Sequence, residues 1–188
     1  MEPFPESSSP APAGRPTVRP LLSDGEIRGR VAELGRAITA AYRPGDPLTV
    51  LAVMTGGMVF CADLIRRIDR PLQLGVLHAR SYRGTRPGDL SVALHMLPDL
   101  AGRHVVVVDD IFDTGRTLER IVDEVELLGA ASVEAVVLLT KDIERSVAIA
   151  PRWSGFTIGD EFVVGYGLDY DGEYRNRAAI GVLRFGDG

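Results

Sequence analysis

The sequence is short of several things that would each have pointed somewhere. Its 188 residues include one cysteine, Cys61, one tryptophan, Trp153, and three histidines. A single cysteine rules out an intrachain disulfide and fits a reducing compartment. Cys61 sits inside the apolar run Met58-Val59-Phe60-Cys61-Ala62, so a buried, inert thiol is expected in place of a nucleophile. No apolar run approaches the ~20 residues that cross a bilayer as a helix. The N-terminus lacks the basic-then-apolar profile of a secretory signal, which makes the cytoplasm the expected location and a membrane an unexpected partner. Basic residues are outnumbered, 21 Lys and Arg against 26 Asp and Glu, and none form a block. A nucleic-acid footprint is therefore not expected. Internal repeats are absent, as are the G-x-G-x-x-G fingerprint and the Gly-Lys pair of a Walker A loop, which disfavours ordinary ATP hydrolysis.

What remains is a soluble composition, 45% hydrophobic and 25% charged, at a length that suits one domain with a sizeable core. Residues 1–20 hold six prolines and three serines with little apolar periodicity, and read as a disordered extension ahead of a single domain over 21–188. Ser23-Asp24-Gly25-Glu26 has the spacing of a capping box. Ile27, Val31, Leu34, Ile38 and Ala41 follow at helical intervals until Pro44-Gly45.

Leu48 to Met54 reads as a buried strand, followed by Thr55-Gly56-Gly57 and a helical run from Met58 to Ile68. Strand, glycine turn and helix start together offer free N–H groups and a helix dipole to an anion. Leu72 to Ala79 is a second strand. Ser81 to Asp89 is polar and aperiodic, as active-site lids are, with Tyr82 able to close over a ligand. Ser91 to Leu97 alternates like a half-buried strand.

The stretch His104 to Leu118 organises the rest. Val105 to Val108 reads as a strand buried on both faces, and it runs into Asp109, Asp110 and then Asp113-Thr114-Gly115-Arg116-Thr117. Leu118, Ile121, Val122, Val125 and Leu128 then recur at helical spacing up to Gly129. Ligands of open parallel sheets bind at such carboxyl ends. Thr114 to Thr117 supplies N–H donors, two hydroxyls and a cation, which suits a phosphate monoester. Asp109 and Asp110 suit vicinal hydroxyls or hydrated Mg²⁺. A ribose 5-phosphate carrying pyrophosphate meets both demands. A receiver-type phospho-acceptor site would need a lone Asp after the next strand. That strand, Val133 to Leu139, ends instead in Thr140-Lys141. Residues 142–160 read as irregular, Phe162 to Gly167 resumes strand character, and Ile180 to Phe185 is a last strand. Strands alternating with helices give an α/β fold, mostly parallel, with a smaller antiparallel flap.

Val105 to Thr117 resembles the phosphoribosyl-pyrophosphate (PRPP) motif of type I phosphoribosyltransferases. Gly155 to Tyr170, then Tyr174-Arg175-Asn176, resembles the C-terminal signature of the hypoxanthine-guanine branch. The resemblance spans about Leu48 to Leu183. It implies the type I phosphoribosyltransferase fold, a mostly parallel central sheet flanked by helices with a small hood. It also implies purine salvage, the Mg²⁺-dependent transfer of 5-phosphoribosyl from PRPP to a 6-oxopurine base, hypoxanthine or guanine and by extension xanthine. The same resemblance implies roles. Asp109 and Asp110 hold the ribose hydroxyls, directly or through Mg²⁺, and Asp169 completes a second Mg²⁺ site at the edge of the purine pocket. Thr114, Gly115, Arg116 and Thr117 cradle the 5-phosphate, and Asp113 serves purine N7 as catalytic base or relay. Lys141 donates to the 6-oxo group, Phe162 stacks on the base and the Val163 backbone reads its edge. Thr55, Gly56 and Arg175 face pyrophosphate, and Ser81 with Tyr82 forms the lid. A homo-oligomer, dimer or tetramer, is implied as well. The chain departs from many members by carrying Thr55 and Glu161 where lysines are common.

Overall fold

The computed structural model describes residues 16–81, 90–93 and 97–185. Six strands form the main sheet. In spatial order they are β4 (Leu90–Ala93), β3 (Leu72–Ser81), β2 (Leu48–Met54), β5 (His104–Phe112), β6 (Ser132–Lys141) and β7 (Trp153–Ile158). All neighbours are parallel except β3 and β4, which pair Ser81 with Leu90 and His78 with Ala93 in antiparallel register. The middle strands are the apolar runs read in the sequence. Every residue of β2 from Leu48 to Val53 is buried, as are Val105 to Val108 and Ala135 to Leu139.

Burial on both faces follows from helices on both sides. On one side Val50, Ala52, Val106 and Val108 pack with α1 (Asp24–Ala41) and α2 (Gly57–Ile65); on the other, Leu51, Val105 and Val107 pack with α3 (Arg116–Glu126). The capping box starts α1 as its spacing requires. The Glu26 N–H donates to Ser23 Oγ at 3.3 Å, and the Ser23 N–H donates to Glu26 Oε2 at 2.8 Å. Cys61 lies in the α2 core, and burial pushes its thiol up to about 12, which removes it from thiolate chemistry at neutral pH. None of the described helices is long and apolar enough to cross a membrane.

Two expectations are corrected. The disordered extension assigned to residues 1–20 overlaps β1 (Thr17–Leu22), which pairs antiparallel with β9 (Ile180–Arg184); β8 (Val163–Val164) lies on the other side of β9, making a small second sheet. The physical reason is tertiary. Pro20 pairs with Gly181 on the outermost strand of that sheet, where a missing N–H is tolerated, and Leu21 and Leu22 pack on the main core. Residues 1–15 lie outside the described residues. The segment 142–160, read as irregular, contains β7, whose partner rows run from Val136–Trp153 to Lys141–Ile158. A half-buried edge strand gains its order from β6 and from Arg30 of α1, which donates to the carbonyls of Gly155 (2.8 Å) and Ser154 (2.9 Å).

The contribution of β1 can be measured with two truncations. A chain starting at Ser23 should melt about 5 °C or more below one starting at Pro16, since it loses the β9 pairing and the two leucines. Equal melting temperatures would mean that β1 adds nothing to the fold.

Candidate active site

The parallel register brings the carboxyl ends of β2, β5, β6 and β7 to one rim. There the backbone of β5 leaves two acids side by side, and they organise a cavity of about 300 Å³. Its lining includes Gly56, Asp109, Asp110, Asp113, Thr114 and Thr117. Asp109 is nearly excluded from solvent. Its Oδ1 accepts from the Asp110 N–H at 3.0 Å, and Asp110 Oδ1 accepts from the Ile111 N–H at 2.9 Å. Burial, and then the negative charge of Asp110, push the Asp109 carboxyl well above the ordinary carboxylate range. Burial also raises Asp110, against its hydrogen bonding to Asp109 and Ile111 and the nearby charge of Arg175. Such a pair suits a cationic or hydroxyl-bearing ligand.

The loop after β5 turns sharply into α3. Gly115 is the N-cap at φ 83°, and a Cβ there would come within 2.4 Å of Val147. The first N–H groups of α3 have no partner inside the helix and face the cavity end with the positive end of the dipole. Thr114 and Thr117 line the cavity; Arg116 is exposed and does not.

On the β2 side the Met54–Thr55 peptide is cis, and Gly56 and Gly57 open α2. A Cβ at Gly56 would lie 1.8 Å from Asp110 Oδ2, so the turn and the carboxylate occupy adjoining space only because Gly56 has no side chain. The other flank is Gly167 (φ 100°), where a Cβ would meet the Gly56 carbonyl at 2.3 Å. Thr55 is exposed and outside the cavity lining. The loop carrying Gly167 is fixed by Tyr166, whose hydroxyl donates to Asp63 Oδ2 of α2 at 2.6 Å. Arg175 closes the same loop, donating to the Gly167 carbonyl at 2.5 Å and pairing with Asp169 Oδ1 at 2.7 Å. Asp169 Oδ2 accepts from the Gly172 N–H at 2.9 Å.

At the third edge of the rim, Lys141 ends β6. Its Nζ lies 3.7 Å from Asp113 Oδ2 and 2.9 Å from Asp160 Oδ1. Phe162 is half exposed, and its ring meets Tyr170 edge-on at 5.8 Å. Val163 is buried in β8. Ser81 ends β3, and Tyr82 lies outside the described residues.

Among the described residues no three His, Cys, Asp or Glu side chains converge on a point that could hold a metal. Asp109 and Asp110 stand together, while Asp169 is engaged by Arg175. That donor set suits Mg²⁺, which commonly takes one or two carboxylates and completes its shell with water and substrate phosphate oxygens.

Three side chains of the rim went unread in the sequence. Asp160 pairs with Lys141, Asp63 anchors Tyr166, and Arg145 bridges the turn that carries Asp113 and the end of β6 that carries Lys141. None belongs to a local pattern; a cation four residues after Lys141 was the only available hint.

The family model for the phosphoribosyl transferase domain matches residues 25–171, across the rim just described. The chain belongs to the phosphoribosyltransferase family. It is 42% identical over 166 residues to the hypoxanthine-guanine phosphoribosyltransferase of Lactococcus lactis, covering 87% of this chain and 90% of that protein. It is 41% identical to part of the bifunctional protein TilS/HprT of Listeria innocua, where it spans 26% of the longer protein. Among solved structures, a hypoxanthine phosphoribosyltransferase from Staphylococcus aureus superposes with a TM-score of 0.82 at 35% identity. The match covers 88% of this chain and 91% of that one. The type I phosphoribosyltransferase fold is thus the fold of this chain, with five parallel strands and one antiparallel edge.

The carboxylate pair makes a prediction about stability in this phosphoribosyltransferase. A carboxyl whose native pKa is raised binds its proton more tightly folded than unfolded. Stability therefore falls as pH rises above the unfolded value of about 4. In metal-free buffer Asp109→Asn should raise the melting temperature at pH 7.5 by at least about 2 °C, with the gain shrinking as pH approaches 4. A lower melting temperature at pH 7.5 would contradict the burial cost assigned to the pair.

Proposed function

We propose that this protein is a purine-salvage enzyme. It transfers the 5-phosphoribosyl group of PRPP to N9 of hypoxanthine or guanine, giving IMP or GMP and pyrophosphate; xanthine is the third 6-oxopurine its contacts admit. The observation that carries this assignment is the juxtaposition on one rim of a buried Asp109–Asp110 pair, the N-terminus of α3, and Lys141 3.7 Å from Asp113. The first two fit a sugar phosphate; the third fits a base with an acceptor and an acidic N–H side by side. Curated relatives with about 40% identity carry the names of hypoxanthine-guanine enzymes.

In this assignment the 5-phosphate sits on Thr114, Gly115, Arg116 and Thr117, and the ribose hydroxyls face Asp109 and Asp110. Asp109 and Asp110, and on the other flank Asp169 at a second site, would hold Mg²⁺, which would supply charge neutralisation to the pyrophosphate leaving group. Thr55, Gly56 and Arg175 supply the protein's own donors to pyrophosphate as the bond from C1 to its oxygen breaks. Phe162 stacks on the purine, the Val163 backbone reads its edge, and Lys141 donates to the 6-oxo group. N9 forms the new bond to C1 while the N7 proton leaves towards Asp113. Ser81 and Tyr82 close the site and keep water from the cation-like sugar. A cytoplasmic homo-oligomer, dimer or tetramer, completes the proposal.

The deciding experiment is a PRPP- and Mg²⁺-dependent assay across adenine, hypoxanthine, guanine, xanthine and uracil. Turnover of hypoxanthine and guanine is expected, and activity on adenine alone would overturn the role of Lys141. Asp113→Asn should lower kcat by roughly 10²-fold, as loss of a general base usually does. An unchanged kcat with both 6-oxopurines would remove Asp113 from the chemistry.

A further inference from the structure

The two side chains proposed to read the purine stand on different segments, Asp113 in the turn after β5 and Lys141 at the end of β6. The β5–β6 pairing stops at Phe112–Thr140, one residue short of both. One guanidinium joins those backbones. Arg145 Nε donates to the Asp113 carbonyl at 2.6 Å, and Nη2 donates to the Phe112 carbonyl at 3.2 Å and, closely, to the Lys141 carbonyl. Nη1 adds the Ile143 carbonyl at 3.2 Å. The plane of the guanidinium also lies over the Phe112 ring, 4.6 Å from its centre. All three nitrogens are thus engaged, on four carbonyls, and every one of those carbonyls belongs to the stretch 112–113 or 141–143. A planar fork of five donors can do this; an ammonium on a flexible stem cannot.

Arg145 itself is not among the residues that line the cavity. Its bonds to Phe112 and Asp113 run across more than thirty residues of sequence, so they fix a tertiary distance, not a local turn. We infer that Arg145 is a positioning residue for purine recognition. It locks the turn bearing Asp113 to the end of β6 bearing Lys141, beyond the point where the β5–β6 pairing stops, so that the carboxylate and the ammonium stay close enough to meet N7 and the 6-oxo group of one base. This rests on the roles proposed above for Asp113 and Lys141.

The test compares full-length wild type, Arg145→Met, Lys141→Met and the double variant, with hypoxanthine and PRPP varied separately. Arg145→Met should lower kcat/KM for hypoxanthine by about 10- to 50-fold, because small misplacements of reacting groups cost that much. The KM for PRPP should stay within about threefold. In the Lys141→Met background the same change should cost clearly less than in wild type, since one of the two groups it holds in register is already gone. A purely structural arginine would give the same fold-loss in both backgrounds, or would raise the KM for PRPP in parallel. Either result overturns the inference. Should Arg145→Met fail to fold, Arg145→Lys keeps the charge and most of the volume but not the fork. It should still lose about fivefold or more in kcat/KM for hypoxanthine, and wild-type values would overturn the inference. Wild type inactive on every purine would overturn the functional assignment and this inference together; active wild type with unaffected Arg145 variants would overturn this inference alone.

Discussion

Two neighbouring carboxylates at the end of a strand buried on both faces are the constraint around which this protein is arranged. Charge at such a place is costly unless it is hydrogen-bonded or neutralised, and the surroundings of Asp109 and Asp110 meet only part of that cost. Two backbone N–H groups and the nearby Arg175 compensate them, and burial still drives both carboxyls upward. In the proposed function the remainder is met by the ligand. The site is thereby held at higher free energy than an apolar strand end would be, a recurrent trade between stability and function.

Holding the acids there requires a scaffold that cannot relax around them. Val105 to Val108 are locked between helices on both sides, so the position of Asp109 is set by a core and not by a loop. The neighbouring turns come close because glycine lets them. Gly56 adjoins the Asp110 carboxylate, Gly167 adjoins the Gly56 carbonyl, and Tyr166 with Asp63 pins the outer turn to α2. A chain of three contacts therefore links the strand end to the turn proposed for pyrophosphate and to the loop of Asp169 and Arg175. These contacts bring residues from across the chain into one closely fitted rim.

The parts legible in the sequence were those with a local cause. The four valines and two acids, the capping box at Ser23 and the helical spacing after Gly115 each announce their own structure, and together they place the phosphate-like cradle. The resemblance to the hypoxanthine-guanine branch added Lys141 and the Phe162 to Asp169 stretch. What stayed hidden has a tertiary cause. β1 is proline-bearing and only partly apolar, and becomes a strand because β9 offers it an edge. β7 shows no pattern of its own and is ordered by β6 and by Arg30. Arg145 looks like a surface cation until the turn after β5 and the end of β6 that it joins are seen side by side.

The surroundings of Lys141 show how such a rim could discriminate between bases without a dedicated pocket wall. Its side chain is only 15% exposed, and the ammonium lies between two carboxylates of different character. Asp160, at 2.9 Å, is three-quarters exposed and returns to water at little cost. Asp113, at 3.7 Å, is half exposed and its backbone is held by Arg145. A base carrying an acceptor at its 6-position can take the place of Asp160 on Lys141 while Asp113 remains to receive a proton. A base with an amino group there would set a donor against the ammonium and, with Asp160 displaced, leave a largely buried cation only its longer contact to Asp113, which costs more than a lost hydrogen bond. In the proposed reaction, selectivity for 6-oxopurines then comes mainly from this mismatch penalty, exacted by one lysine whose free-state partner is easily displaced.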